Sequence, residues 1–343
     1  MTDHPINDVA VIGGGAAGLA AAVTLARSLR SVVVIDAGEP RNAPAAGVHN
    51  LLGREGMPPA ELLAAGRAEA RGYGATILPG RAVTAGRAGD GSFVVTLADG
   101  GTVRSRRLLL ATGLVDELPD LPGVRALWGR SVLHCPFCHG WEVRGRRIGV
   151  LGSSPLSLHQ VLLFRQLTDT VTLFLHTMPE PDDDAWEQLA ALGVRVVSGV
   201  VRDLRAEGDA LRAVVLEDGH EFALDALTVA PRFVARGELF EQLGGTLTEQ
   251  PTGVFIPAAP GGRTDVPGVW VAGNSTDLTA TVAVSAAAGA VAGGGIHGEL
   301  TVEDAAAAVS ARRAPFSAAA EAEQARRVLG DRRHGVDLAG APR

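Results

Sequence analysis

Val9-Ala10-Val11-Ile12-Gly13-Gly14-Gly15-Ala16-Ala17-Gly18 is a short apolar run that breaks into three consecutive glycines, and a small-residue helix follows it to about residue 30. Residues 31–35 then read as a β-branched strand that ends at Asp36. A strand, a glycine turn, a helix, a second strand and an acid about 18 positions after the last glycine make a dinucleotide-binding unit. Gly13 allows the tight turn, Gly15 lets bare backbone approach a diphosphate, and Gly18 lets helix and strand pack closely. Ala16 opens the helix, so its N–H groups and dipole meet the phosphates. Asp36 accepts hydrogen bonds from ribose hydroxyls.

The same unit occurs a second time. Arg147-Ile148-Gly149-Val150-Leu151-Gly152 begins the copy, with a helix over 156–167 and a strand over 171–175. A hairpin turning at Asp-Gly follows each unit: 93–97 through Asp99-Gly100, and 211–216 through Asp218-Gly219. Each hairpin leads into a buried strand, 108–111 and 227–230. The first unit resumes near Thr252 and closes with Val269-Trp270-Val271-Ala272-Gly273-Asn274 and a helix over 279–294. The expected fold is α/β, with two nested Rossmann-like dinucleotide-binding domains, each of three layers. Residues 1–118 with 248–300 form the first domain, and 119–247 form the inserted second one. Residues 301–343 make a helical tail. Within it, a helix over 318–329 has Ser317 as its cap, Glu321 and Glu323 near its start, Arg326 and Arg327 in its last turn and Gly330 beyond it. Such a helix packs on the body or on a second copy, and a homodimer is the expected assembly.

Composition excludes several classes. A chain of 343 residues suggests two domains. Its net charge of −7 argues against nucleic acid, and 4% aromatic residues leave little for base stacking. Residues 9–26 carry no charge, but the glycines interrupt that run, and Asp3 and Asp8 precede it without any Lys or Arg. A secretory leader starts with positive charge, so no membrane association is expected and the location is cytoplasmic.

The second copy is damaged as a nucleotide site. Where Gly-x-Gly-x-x-Gly/Ala is expected, the chain reads Gly152-Ser153-Ser154-Pro155-Leu156-Ser157. Ser154 carries a Cβ where backbone should meet a pyrophosphate, and Pro155 lacks an N–H. His176-Thr177-Met178-Pro179 stands where arginines would clamp a 2′-phosphate, and Glu180 and Asp182-Asp183-Asp184 follow. Each missing charge-assisted bond weakens binding by roughly 1.5–3 kcal/mol. NADPH is therefore not expected to be a cofactor.

Only two cysteines occur, in Leu133-His134-Cys135-Pro136-Phe137-Cys138-His139-Gly140-Trp141. Three chemistries compete for them. Cys-x-x-Cys-His matches a c-type haem attachment, which demands export. Zinc would need Cys135, Cys138, His134 and His139 to surround one ion from within six residues, a crowded set without a second cysteine pair. A redox dithiol pair is favoured over these, and over two inert buried cysteines, by the flanking histidines and the intervening proline. An imidazole with a pKa near 6.5 can lower a thiol's pKa when protonated or take its proton when neutral.

With these motifs in place, residues 8–300 resemble the thioredoxin reductase family of low-molecular-weight flavoproteins. The resemblance rests on Gly13–Gly18, Asp36, Ala111-Thr112-Gly113, the cysteine pair and Val266 to Gly273. It implies FAD as cofactor, with Ala111, Thr112, Gly113, Gly273 and Asn274 in its second and third contact motifs. It also brings Arg41, Asn42, His49 and Asn50 to the FAD, Val83 to the adenine, and Thr281 and Val282 to the flavin's pyrimidine end. The chain departs from the reductases in three ways. His139 replaces the Asp after the second cysteine, Asn274 replaces the Asp of the third motif, and the second glycine motif and its arginines are gone.

Cys-x-x-Cys-His-Gly is instead similar to the flavin-dependent dithiol oxidases that close disulfides in natural products of the gliotoxin and holomycin type. That likeness implies a small-molecule dithiol as substrate, deprotonated by His139 with help from His134. Cys135 would form the mixed disulfide, Cys138 would pass electrons to FAD, and O2 would accept them as hydrogen peroxide. The competing functions are a protein disulfide reductase fed by NADPH or ferredoxin, and a flavin-binding redox sensor.

Overall fold

The computed structural model describes residues 6–313 and 317–329. The opening apolar run forms the strand Ile6–Ile12, in which Val9, Ala10 and Val11 are wholly buried. Parallel neighbours flank it on both sides, Val32–Asp36 and Thr102–Leu110. A strand covered on both faces reads as a continuous apolar run, not as an alternating one. The glycines then redirect the chain into the helix Ala16–Arg27, so the uncharged run is a strand and a helix in succession. No helix among the described residues is long and apolar enough to cross a membrane.

Thr76–Pro79, Phe93–Leu97, Ala82–Arg87 and Val269–Val271 complete this first sheet. Thr102–Leu110 serves two purposes. Its first part pairs antiparallel with Phe93–Leu97 across the Asp99-Gly100 turn, and its last part pairs parallel with Val269–Val271. The hairpin arm and the buried strand, which the sequence suggests are separate, are one element.

The second sheet is parallel throughout, in the order Arg195–Val197, Val171–Phe174, Ile148–Leu151, Ala226–Thr228, Val132–Leu133. It carries the second copy of the unit, and the antiparallel strands Val201–Glu207, Ala210–Leu216 and Glu221–Ala223 form a separate three-stranded sheet. The two sheets have separate apolar cores, one around Phe93, Leu108 and Phe240, the other around Leu127, Phe174 and Leu227. The expected architecture of two nested Rossmann-like units is the one observed.

A linking sheet was not legible in the sequence. The chain leaves the first sheet through Leu114–Glu117 and returns through Arg232–Ala235, and these strands pair antiparallel. Gly253–Phe255 and Thr248–Gln250 extend the pair.

The last long helix spans Val282–Arg313 and runs on well past the expected end at 294. The chain forms one compact unit up to Gly295 and a second from Ile296. In the second, Ser317 caps the helix Ala318–Leu329 by accepting the Ala320 N–H at 3.1 Å. Gly330 and the residues after it lie outside the described residues.

Candidate active site

Two cavities of about 790 and 710 Å³ share Arg41, Leu63, Ala111 and Gly113 as walls. Both are of the size that small-molecule sites usually have, roughly 300–1,000 Å³. Gly13, Gly15, Asp36, Val83 and Thr112 line the first. Ala16, Asn42, His49, Asn50, Gly273, Asn274, Thr281 and Val282 line the second, together with His134, Cys135, Cys138 and His139. Of the catalytic and cofactor-binding residues expected from the sequence, Gly18 alone lines neither.

The glycine turn divides its duties. Gly13 sits at φ +113°, and a Cβ there would lie 2.2 Å from the Ala111 carbonyl oxygen. A Cβ on Gly18 would lie 1.9 Å from the Gly13 carbonyl oxygen. Gly15 has no neighbour within 4 Å of an added Cβ, so nothing in the protein demands a glycine there. Its bare backbone faces the cavity, which suits close approach by a diphosphate. Asp36 stands over Gly14, where a Cβ would come 2.3 Å from Asp36 Oδ2, and its Oδ1 accepts the Gly38 N–H at 3.0 Å. Arg67 is 3.6 Å from Oδ2. Val83 falls between Ala82 and Thr84, where the strand register shifts, so it is the bulged residue and stands out of the ladder. Glycines, acid and bulge all fit the ADP half of FAD.

At the other end, Arg41 makes a bidentate pair with Asp116, at 2.8 and 2.6 Å, with its guanidinium 5.1 Å from the Phe233 ring. Its third nitrogen reaches Asn274 Oδ1 at 3.4 Å. Asn274 Nδ2 donates to the carbonyls of Asp277 and Ala280, at 3.0 and 2.9 Å. This gives the departure from Asp a local reason: a carboxylate would set an oxygen against two carbonyls. Thr281 Oγ1 accepts the Val284 N–H at 3.4 Å and so caps the helix that opens at the cavity wall.

Cys135 and Cys138 form a disulfide, with Cα atoms 5.3 Å apart. Cys135 is the N-cap of a one-turn helix, Pro136–His139, and its Sγ accepts the Cys138 N–H at 3.1 Å. Pro136 suits the first helical position because its N–H would be unpaired there in any case. Cys138 is exposed and Cys135 half-buried. Burial pushes the His139 pKa below its ordinary value, against the pull of the Glu142 carboxylate, so the ring is neutral at pH 7. Burial lowers His134 as well. His134 Nδ1 lies 3.1 Å from the Val229 carbonyl, which places the proton on that nitrogen, and the Gln160 amide packs beside it. Phe137 and Trp141 are exposed, and Arg144 lies over the Trp141 ring at 3.8 Å.

The second glycine loop is tied to the turn that follows its second strand. A Cβ on Gly152 would lie 2.6 Å from Met178 Sδ, and Met178 is buried. Thr177 and Met178 both donate their N–H groups to the Gly152 carbonyl, at 3.1 Å. The buried Ser157 hydroxyl accepts the Ser153 N–H at 3.2 Å. His176, at φ +47°, turns the chain back over the loop, with Nδ1 accepting the Val201 N–H. Asp182, read as a phosphate-repelling charge, also caps the helix Asp183–Ala191 through the Ala185 N–H.

Sequence reasoning missed Asp116, Glu55, Glu142 and Gln160. Arg41 meets Asp116 across 75 positions and Gln160 meets His134 across 26, so no local spacing marked those two, while Glu55 and Glu142 lie near His49 and His139 in the chain but belong to no motif.

The comparisons with known proteins agree on one family. A family model described as pyridine nucleotide-disulphide oxidoreductase matches residues 7–294. The thioredoxin reductase tcpT of Claviceps purpurea is 34% identical over 306 residues, covering 85% of this chain and 94% of the relative. The thioredoxin reductase sirT of Leptosphaeria maculans is 33% identical over 308 residues, with the same coverages. Among solved structures, HlmI superposes with a TM-score of 0.86 at 43% identity, covering 92% of this chain and 99% of that one. An oxidoreductase from Agrobacterium tumefaciens gives 0.82 at 35% identity, covering 87% and 99%.

Proposed function

This chain belongs to the pyridine nucleotide-disulphide oxidoreductase family and is an FAD-dependent thiol/disulfide oxidoreductase, and from that premise we infer that it closes a disulfide in a small-molecule dithiol, with dioxygen as the final acceptor. One observation carries the reading. The Cys135–Cys138 disulfide opens on the cavity lined by Asn274, Thr281 and Val282, while in the second glycine loop the Ser157 hydroxyl already takes the Ser153 N–H. Electrons have a route in from sulfur, and the loop that would seat a nicotinamide coenzyme carries Ser154 and Pro155 where close backbone approach and an N–H are needed. The Cys-x-x-Cys-His-Gly run, similar to that of the dithiol oxidases, supports the same assignment.

A neutral His139 takes the proton from the first substrate thiol. The thiolate attacks Cys135 Sγ, the enzyme disulfide breaks, and Cys138 leaves as a thiolate facing the cavity. After His139 has passed its proton to solvent it takes that of the second substrate thiol, and this thiolate attacks the substrate sulfur of the mixed disulfide and displaces Cys135. The Cys138 N–H, already directed at Cys135 Sγ, stabilises the departing charge. Bound FAD supplies a two-electron acceptor that dioxygen can reoxidise. Overall, the dithiol loses two electrons and two protons, and dioxygen gains both as hydrogen peroxide.

An oxygen electrode with a simple dithiol tests this. One hydrogen peroxide should form per disulfide closed, and peroxide no higher than with free FAD contradicts the assignment. The rate should fall in acid as His139 gains a proton, along a limb centred below the ~6.5 of an ordinary histidine. Replacing His139 with Gln should lower the rate about 10²–10⁴-fold and remove that limb, leaving only the substrate thiol's own titration near ~8.5. An unchanged acid limb in that variant assigns the base elsewhere.

A further inference from the structure

The helix turn that bears the disulfide is a single turn, and another segment supports it from outside. Val48 and Met57 form an antiparallel bridge, with Val48 N–H on the Met57 carbonyl at 2.9 Å and Gly56 N–H on the Val48 carbonyl at 2.8 Å. Between them, the two oxygens of the Glu55 carboxylate meet His49 Nδ1 at 2.6 Å and the Asn50 N–H at 3.0 Å. Asn50 is thereby held at φ +59°, a conformation that asparagine tolerates better than most residues. Its Nδ2 donates to the carbonyl of Phe137, between the two cysteines, at 2.6 Å. His49 Nε2 stands 3.5 Å from Glu142 Oε1, on the next turn of chain. Two successive residues of one segment therefore grip the disulfide turn at its middle and just behind it.

The family resemblance brings His49 and Asn50 to the FAD, and both line the cavity. Their polar atoms are nevertheless engaged with Glu55, Phe137 and Glu142. We propose that Asn50 is a positioning residue for the redox disulfide: seated by Glu55, it holds the Phe137 carbonyl and so fixes how Cys138 meets the flavin end of the cavity. The proposal rests on reading the cysteine pair as the redox couple.

Two substitutions keep the backbone compatible. Asn50→Gly adopts positive φ freely, and Asn50→Asp keeps size and shape but exchanges the donor for an acceptor facing a carbonyl. In both, anaerobic flavin reduction by dithiothreitol should slow by about tenfold or more, as expected for one lost charge-neutral hydrogen bond of ~1.4 kcal/mol. FAD content should not change, and neither should reduction of the disulfide by a water-soluble phosphine, which needs no alignment with the flavin. Amide hydrogen exchange in the peptide 133–141 should speed up by a similar factor. Glu55→Gln should fall between wild type and these variants. Exchange at the wild-type rate in both Asn50 variants overturns the proposal, whatever the enzyme oxidises. Loss of FAD with unchanged exchange also overturns it, by making Asn50 a cofactor contact. A wild-type flavin that dithiothreitol fails to reduce contradicts the oxidase reading instead, and the exchange measurement still decides the clamp.

Discussion

Replacing Cys138 with Ser should leave an enzyme that keeps its FAD and no longer accepts electrons from a dithiol, with flavin reduction down by at least about 10³-fold. Serine is close to cysteine in size, and the one-turn helix depends on backbone bonds and on Cys135 as its cap, so the turn should survive. The variant cannot form the internal disulfide, but Cys135 can still be joined to a thiol. Under oxidising conditions it should accumulate one mixed disulfide per chain with the dithiol, detectable by mass, while the flavin stays oxidised. Single-turnover flavin reduction retained in Cys138→Ser would contradict the assigned electron path.

The glycine turn gives a second large and separable effect. In Gly18→Ala the new methyl would lie 1.9 Å from the Gly13 carbonyl oxygen and 3.1 Å from a Val11 methyl, both on the central strand end. Val11 is fully buried, so neither neighbour can yield cheaply, and the loss should be about 3 kcal/mol with FAD lost as a consequence. In Gly15→Ala the methyl meets no protein atom within 4 Å, and the backbone there is ordinary at φ −81°. The apoprotein should melt where the wild type does, while FAD affinity falls by at least about tenfold, or 1.4 kcal/mol. Thermal melts of both apoproteins, with titration of FAD, check the pair. Unchanged FAD affinity in Gly15→Ala would remove the diphosphate from that position.

That contrast also marks how much was legible in the sequence. The turn could be read because its causes are local: Gly13, Gly15, Gly18 and Asp36 lie within one strand, helix and strand. The cysteine turn was legible for the same reason. What determines the surroundings of each is distant. Asp116 holds Arg41, and Asn274 is an asparagine because two carbonyls face it. The linking strands Leu114–Glu117 and Arg232–Ala235 are four residues each and have no turn to announce their pairing.

The last long helix shows a misleading signal. Gly293-Gly294-Gly295 reads as a helix stop, yet the helix continues to Arg313. Two of those glycines are contact surfaces: a Cβ on Gly293 would crowd the helix Ala16–Arg27 at Ala21 and Thr24, and one on Gly295 would lie 2.6 Å from the Trp270 ring. Gly289 does the same against the Ala17 carbonyl, at 2.0 Å. Close helix packing, and not a need to break the helix, accounts for these small residues.

The central claim concerns where electrons enter. Anaerobic stopped-flow mixing of the oxidised holoenzyme with a dithiol or with NADPH, following the flavin absorbance, tests it most directly. The dithiol should bleach the flavin within the turnover time, and NADPH at micromolar concentration should leave it oxidised. Rapid bleaching by NADPH, with none by the dithiol, would contradict the account.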